Sequence, residues 1–270
     1  MDAFQDRVAV ITGDAGGVGM AMARAFAARG AKLVLADLDE SALQRAAAEL
    51  QEGGAEALGV PTDVTNLDSV AALAAAARQR FGAVHIVCNN AGVATFGEIH
   101  RASHRDWVYT MNVNFWGVVH GIETFVPLLM EQGQGGHIVN TASMAGLVGM
   151  RWLGIYCASK FAVVGVSEAL HRELSPLGIG VSVLCPMIVD TQINENSVRM
   201  RPSDLRNAEE LPVPPASAMA GGVIAPEEVG RRVVRGIERG DLYILTHREQ
   251  RVFLRRRAKK LDNMFEEERW

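Results

Sequence analysis

The sequence predicts an α/β protein: one Rossmann-like doubly wound domain over residues 1–270, with a seven-stranded parallel sheet flanked by helices on both faces. Three observations predict it. Short β-branched runs alternate with longer Ala-rich, helix-like stretches along the chain, so strands joined by helices must lie parallel. The runs are apolar at nearly every position, as strands covered on both faces are. A glycine-rich turn, "TGDAGGVGM", joins the first run to the first helix-like stretch.

The elements follow in order. "RVAVIT" (7–12) is the first strand and leads into a helix near 17–29; "KLVLA" (32–36) and a helix near 40–51 repeat the unit. "AEALGV" (55–60), a helix near 66–80 and "VHIVC" (84–88) complete the first half. A long helix near 103–131 precedes "HIVNTA" (137–142), and a helix near 155–176 precedes "GVSVLC" (180–185). A helix near 226–238 then leads to the last strand, "LYILT" (242–246). Residues 187–225 break this rhythm, being long, rich in Pro and Gly and weakly periodic, and are read as a substrate lid. The tail from 247 to about 267 has a basic middle and an acidic end and is expected to form a solvated or dimer-packed helix.

Composition excludes several classes. With 49% hydrophobic and 21% charged residues in 270, the chain suffices for one domain with a sizeable core. A net charge of -4 gives no general attraction to phosphate backbones or anionic lipid, so neither nucleic acid nor a membrane is expected as partner. No apolar run reaches the roughly 18 residues of a bilayer span. The opening "MDAFQDR" lacks the features of a signal peptide, and the chain is expected to be cytoplasmic. Cys88, Cys157 and Cys185, odd in number and set among apolar residues, suit reduced buried thiols, and no metal site is expected.

Gly13, Gly17 and Gly19 open the first helix in a G-x-x-x-G-x-G spacing. Glycines there allow a sharp turn and a close backbone approach to a pyrophosphate, which the free N–H groups of the helix start attract. Strand, turn and helix in that sequence give the pattern its weight. Asp37 follows the second strand, near the offset at which an acid binds the adenine ribose hydroxyls. Its carboxylate would repel a 2′-phosphate, Asp14 adds a second negative charge, and no cation follows in "LDE", so NAD is favoured over NADP. The alternative is that Asp37 or Asp39 only caps the next helix.

Tyr156 and Lys160, four apart on a helix, present their polar ends to one spot. An ammonium about 4 Å from a phenol, at an effective dielectric near 20, is worth ~4 kcal/mol, about three pKa units. That would bring a tyrosinate within reach of neutral pH, where a general acid–base works best. Ser143 stands at the carboxyl end of "HIVNTA", the edge where a doubly wound sheet binds ligands, and could bond the same substrate oxygen.

Together with Asp63-Val64, "NNAG" (89–92) and Asn114 in "NVNFWG", these motifs resemble, in order and spacing, the short-chain dehydrogenase/reductase family across residues 7 to about 191. The resemblance implies that Tyr156 is the acid–base, that Lys160 lowers its pKa and holds the nicotinamide ribose, and that Ser143 orients the substrate carbonyl. It further implies that Asn114 holds a water relaying protons to Lys160. Asp63 and Val64 would flank the adenine, Val18 would sit in the glycine turn, Asn90, Ala91 and Gly92 would line the ribose and sheet edge, and Val189 and Thr191 would hold the carboxamide. Two departures stand out: Pro186-Met187 replaces the usual Pro-Gly, and the tail continues past the last strand as a basic helix. A homodimer through the helices 103–131 and 155–176, or a homotetramer, is expected.

The substrate wall is expected from "MAGLVGMRWLG": Met144, Leu147, Val148, Met150, Trp152 and Leu153, joined by Met187 and Met200. These suit a bulky hydrophobic or aromatic secondary alcohol or ketone (steroid-like, terpenoid or aryl), because Met surfaces adapt to irregular shapes. Arg151, Arg199 or Arg201 could pair with an acidic substrate group. The leading expectation is an NAD-dependent oxidoreductase acting on such a small-molecule substrate. A catalytically silent dinucleotide sensor would be expected to lack Tyr156 or Lys160, and a sugar-nucleotide epimerase or dehydratase to carry G-x-x-G-x-x-G and a larger C-terminal domain.

Overall fold

The computed structural model describes residues 3–13, 16–207 and 221–266. Seven strands, β1 (Val8–Thr12), β2 (Lys32–Asp37), β3 (Ala57–Pro61), β4 (Ile86–Asn89), β5 (Gly136–Thr141), β6 (Ile179–Cys185) and β7 (Tyr243–Leu245), form one sheet in the order β3-β2-β1-β4-β5-β6-β7. Every neighbouring pair is parallel. The chain moves outward from β1 through β2 to β3 and then crosses back to β4, so the order reverses between β1 and β4. A crevice opens at the carboxyl ends of the strands beside such a reversal.

The helices are α1 (Gly17–Ala27), α2 (Glu40–Glu52), α3 (Leu67–Phe81), α4 (His104–Met111), α5 (Gly117–Gln132), α6 (Gly154–Leu174), α7 (Ile193–Arg199), α8 (Pro226–Arg239) and α9 (Arg251–Glu266). Alternation along β1 sets the layers. Ala9 and Ile11 pack with α1, α2 and α8 through Met22, Phe26, Leu43 and Val233. Val8 and Val10 face the opposite side, with α3, α5 and α6 through Leu73, Phe125, Leu129 and Leu170. Both faces are covered, which is why the strands read as unbroken apolar runs.

The expected helix 103–131 is two helices joined through a π-helical turn, Asn112–Trp116. Such a turn inserts a residue and rotates the helix beyond it, and it is common at functional sites. Here it directs Asn114 inward, fully buried. By length and composition the continuous helix His104–Gln132 is apolar enough to cross a bilayer. Its buried residues, among them Val118, Phe125 and Leu129, pack against the sheet and α6 as those of a core helix do.

Close helix packing depends on glycines at the contacts. Gly121 of α5 lies against the Asn89 amide, and Gly230 of α8 lies against the main chain of α1. A Cβ on Gly230 would stand 2.4 Å from the Ala21 carbonyl oxygen. Backbone cannot swing aside as a side chain can. Gly230→Ala should therefore lower stability by about 1–3 kcal/mol through forced separation of α1 and α8, read as a fall in Tm; an unchanged Tm would show that the two helices part without cost.

Candidate active site

A cavity of about 1080 Å³ lies along the carboxyl ends of the strands, on both sides of the β1–β4 reversal. Gly13 and Gly17 line its floor in left-handed conformations, with φ of 68° and 56°. A Cβ on Gly13 would stand 2.5 Å from the Ala91 Cα, and one on Gly17 3.0 Å from the Thr191 Cγ2. Gly13 and Gly17 are thus each held against a neighbouring chain segment, where a side chain has no room. Val18 lines the cavity, whereas Gly19 is buried inside α1 and does not. Among the described residues no side chain caps α1 and no acid stands in its first turn, so its N–H groups and positive dipole end face the cavity unneutralised. Asp14 lies outside the described residues.

Asp37 lines the cavity at the end of β2 and accepts a hydrogen bond from the Asp39 N–H at 3.0 Å. The capping role falls to Asp39, which accepts from the Ala42 N–H at 3.1 Å. Asp63 and Val64 line the cavity after β3, the first accepting from the Thr65 N–H at 2.9 Å and the second offering its carbonyl to His120 at 2.8 Å. Asn90 fastens the sheet edge: its amide donates to the carbonyls of Thr12 and Gly13, each at 3.0 Å, and accepts from the Thr141 hydroxyl at 3.1 Å. Ala91 and Gly92 continue the wall, and Val189 and Thr191 stand opposite.

Asn114 does not line the cavity. Its amide pairs with both backbone groups of Val93, at 2.8 and 2.9 Å, and donates to the Ser159 hydroxyl at 3.0 Å. It thereby ties the segment after β4 to α6, one residue before Lys160. Ser143 begins the turn after β5, accepting from the Ala145 N–H at 3.1 Å and donating to the Pro186 carbonyl at 3.3 Å.

Tyr156 and Lys160 rise from the first two turns of α6 and line the same part of the cavity as Ser143. The Lys160 ammonium lies 5.7 Å from the centroid of the Tyr156 ring and donates to the Thr141 carbonyl at 2.8 Å. The electrostatic expectation meets a second effect: the ammonium lies over the face of the ring, and burial dominates both groups. Burial pushes the Tyr156 phenol up to about 12, with a Ser143 hydrogen bond opposing it. Tyr156 is half-buried and lines the cavity, and desolvation penalises the tyrosinate. Burial likewise pushes Lys160 down to about 8.

The substrate side differs in part from expectation. Met150, Leu153, Met187 and Met200 line the cavity; Met144 is buried beneath it, and neither Leu147 nor Val148 reaches it. Trp152 is also outside. It takes a left-handed φ of 69° and lies under the Arg151 guanidinium, 4.9 Å from its ring centroid, away from the wall. Phe96, Tyr109, Ile193 and Leu205 take part instead, brought in by the loop after β4, α4 and the lid. Nothing in their local sequence marks them, since their place depends on how the lid docks.

The described part of the lid is firmly seated. The Tyr109 hydroxyl donates to the Ser197 carbonyl at 3.0 Å, and the Ser197 hydroxyl accepts from the Ala94 N–H at 2.8 Å. Arg201, expected as a substrate partner, instead pairs at 2.8 Å with Asp106, which is 2% exposed. The Asn207 amide donates to the same carboxylate at 2.8 Å. At the other end the stems are joined by Ile224, whose carbonyl and N–H bond Asp190 and Ile188 at 3.0 and 3.1 Å. His247 adds a tie, accepting from the Met187 N–H at 3.3 Å and bonding the Gly222 carbonyl at 3.0 Å. Residues 208–220 of the expected lid lie outside the described residues.

A twisted parallel sheet with a glycine turn at its reversal and a polar cluster beyond β5 defines a Rossmann-like α/β enzyme. A model of the family described as short chain dehydrogenase matches residues 7–202. A solved short-chain dehydrogenase/reductase from Burkholderia phymatum, in complex with NAD, is similar with a TM-score of 0.91 and 40% identity, covering 98% of this chain and 97% of that one. The C alpha-dehydrogenase of Sphingobium sp. is 35% identical over 258 residues, 93% of this chain and 84% of the relative. A 1-deoxy-11-beta-hydroxypentalenate dehydrogenase of Streptomyces exfoliatus is 40% identical over 193 residues, 70% of this chain and 69% of the relative. The chain belongs to the short-chain dehydrogenase/reductase family and is an oxidoreductase.

Asp106 generates a stability prediction. Burial pushes its carboxyl up, but the Ser103 N–H, the Arg201 guanidinium and the Ser103 hydroxyl together hold it below its ordinary value. A carboxylate lowered in the folded state stabilises the protein above its unfolded value of about 3.9 and loses that contribution as pH falls through the folded value. Asp106→Ala should cost about 3–5 kcal/mol by leaving Arg201 buried without its counter-charge, and should flatten the loss of stability of the wild type below about pH 4. Denaturant melts from pH 3 to 7 measure both, and an unchanged midpoint at pH 7 would remove the pair as the lid's anchor.

Proposed function

We propose that the protein is an NAD-dependent dehydrogenase/reductase that interconverts a secondary alcohol and a ketone on a hydrophobic or aromatic small molecule. One observation carries this reading: Ser143, Tyr156 and Lys160 come together in the wall of the same cavity that the glycine turn and the apolar side chains Met150, Leu153 and Met187 line. The glycine turn fits a dinucleotide, because α1 presents uncapped N–H groups to the cavity and Gly13 and Gly17 stand beside them in left-handed conformations. Gly17 and Val18 would take the pyrophosphate, Asp37 the adenine ribose, Asp63 and Val64 the adenine, Lys160 the nicotinamide ribose, and Val189 and Thr191 the carboxamide. Bound NAD would supply the hydride donor and acceptor at its nicotinamide ring. The chain supplies orientation and the proton.

In ketone reduction Tyr156 gives its hydroxyl proton to the carbonyl oxygen, and in alcohol oxidation it takes that proton back. The Ser143 hydroxyl bonds the same oxygen and keeps it in line with the phenol. Lys160, cationic at neutral pH, favours negative charge on that oxygen as it develops. Asn114 acts on the site from behind, fixing the Val93 and Ser159 segments on either side of Lys160. Met150, Leu153, Met187, Met200 and Phe96 offer an apolar enclosure with little to pair a charged substrate. Asp37 supports NAD over NADP by repelling a 2′-phosphate. Exposed Trp116 and Met130 support the expected pairing of subunits through the α4–α5 helix.

Two outcomes test this. With a panel of hydrophobic secondary alcohols and ketones followed by cofactor absorbance, Tyr156→Phe should cut turnover by about 10²–10⁴-fold while NADH binding stays unchanged; full turnover in that variant would remove Tyr156 from its role. In fluorescence titrations NADH should bind more tightly than NADPH, and Asp37→Ala should narrow the gap. Equal or tighter NADPH binding by the wild type would overturn the NAD assignment.

A further inference from the structure

The cleft has two rims, and one side chain bridges them. On the adenosine side, Asp37 ends β2, and Asp39 follows as the cap of α2. On the other side stands α7, the lid helix. Arg199, the last residue of α7, reaches across and donates from Nη1 to the Asp39 carboxylate at 2.7 Å, while its Nη2 bonds the Asn196 side chain at 3.2 Å. Asp39, Asn196 and Arg199 all line the cavity.

We propose that Arg199 is a cofactor-retaining residue, which clasps Asp39 over the mouth of the dinucleotide cleft and must let go before the cofactor leaves. The inference rests on the placement of the adenine ribose at Asp37. Three features support it. Asp39 is preorganised for its partner, since the Ala42 N–H and the Ser41 hydroxyl hold its Oδ1 at 3.1 and 2.9 Å, and its other oxygen, Oδ2, takes the guanidinium. The Asp39 N–H is in turn held by Asp37, so the clasp is built onto the ribose-binding turn itself. The lid half is equally fixed: Ser197, two residues before Arg199, is pinned by Ala94 and Tyr109. Neither end can follow the other outward, so opening must break the ion pair. Arg199 is a positioning residue in this account, because it acts on cofactor exit through Asp39.

The test is NADH release measured by stopped-flow fluorescence for the wild type, Arg199→Gln, Asp39→Asn and the double variant. Asn is a good helix cap, so Asp39→Asn keeps α2 intact. Each single change should speed release by about two- to five-fold, the range of a partly exposed ion pair. The double variant should be no faster than either single one. Raising salt should speed release from the wild type by a larger factor than from the variants, because only the wild type has the clasp to screen in addition to the cofactor's own charges. Arg199→Lys should restore part of the retention.

Unchanged release in both single variants would overturn the clasp while leaving the cofactor assignment standing. Additive effects in the double variant would also overturn it, by showing that Arg199 holds the cofactor directly. If the wild type binds neither NADH nor NADPH, the cofactor assignment and the clasp fall together.

Discussion

The site is organised around one buried ammonium. Lys160 is 2% exposed, and a cation so placed must find compensation within the protein. Its partners are the Thr141 carbonyl at the end of β5 and the face of the Tyr156 ring. Holding that ammonium fixes α6 against β5 and so fixes Tyr156 relative to Ser143. The approach is close enough that Gly146 is required: a Cβ there would stand 2.5 Å from the Lys160 carbonyl oxygen. A side chain there would move α6 or the loop that carries Ser143.

The fold is legible because a sheet covered on both faces writes itself into the chain: each strand appears as an apolar run, each crossover as an amphipathic stretch, and the first turn as glycines. The expected strand at 55–60 and the observed Ala57–Pro61 differ only at their ends. The polar cluster at the cavity is equally legible, since Tyr156 and Lys160 share one helix and need only α6 to meet. The hidden features depend on contacts between distant segments. The π-turn at Asn112–Trp116 has no separate sequence signal, because its apolar pattern continues that of the helices it joins. Size alone places Trp152 on the wall, but a left-handed backbone turns it to Arg151. The ionisation of Tyr156 is hidden for the same kind of reason. Spacing gives the distance between two Cα atoms along a helix, while the balance of burial against charge depends on everything packed around both side chains.

The lid divides polar from apolar work. Its outer ties are charged or hydrogen-bonded: Arg201 with Asp106, Asn207 with Asp106, and the Ser197 pair with Ala94 and Tyr109. Its inner face offers Ile193, Met200 and Leu205 to the cavity, with Asn196 and Arg199 toward the Asp39 side. Polar anchors are directional and fix position, whereas the apolar lining is tolerant of shape. In the proposed function such a wall would take a bulky apolar substrate through its size and hydrophobicity.

The same burial that contradicts a lowered phenol gives the site a definite charge. With Tyr156 pushed up to about 12 and Lys160 down to about 8, neutral pH lies below both values. The phenol then keeps its proton and the amine its charge. The spot is therefore proton-rich and carries one positive charge in low-dielectric surroundings, where an anionic oxygen gains more than it would in water. A carbonyl oxygen acquiring charge meets a donor and a cation already in place, with no need to ionise the tyrosine first. The reverse step, taking a proton from an alcohol, requires the phenol to give up its own proton, which burial opposes. A positive charge brought to the cavity by a bound molecule would act against burial and lower the phenol, as the proposed alcohol oxidation requires.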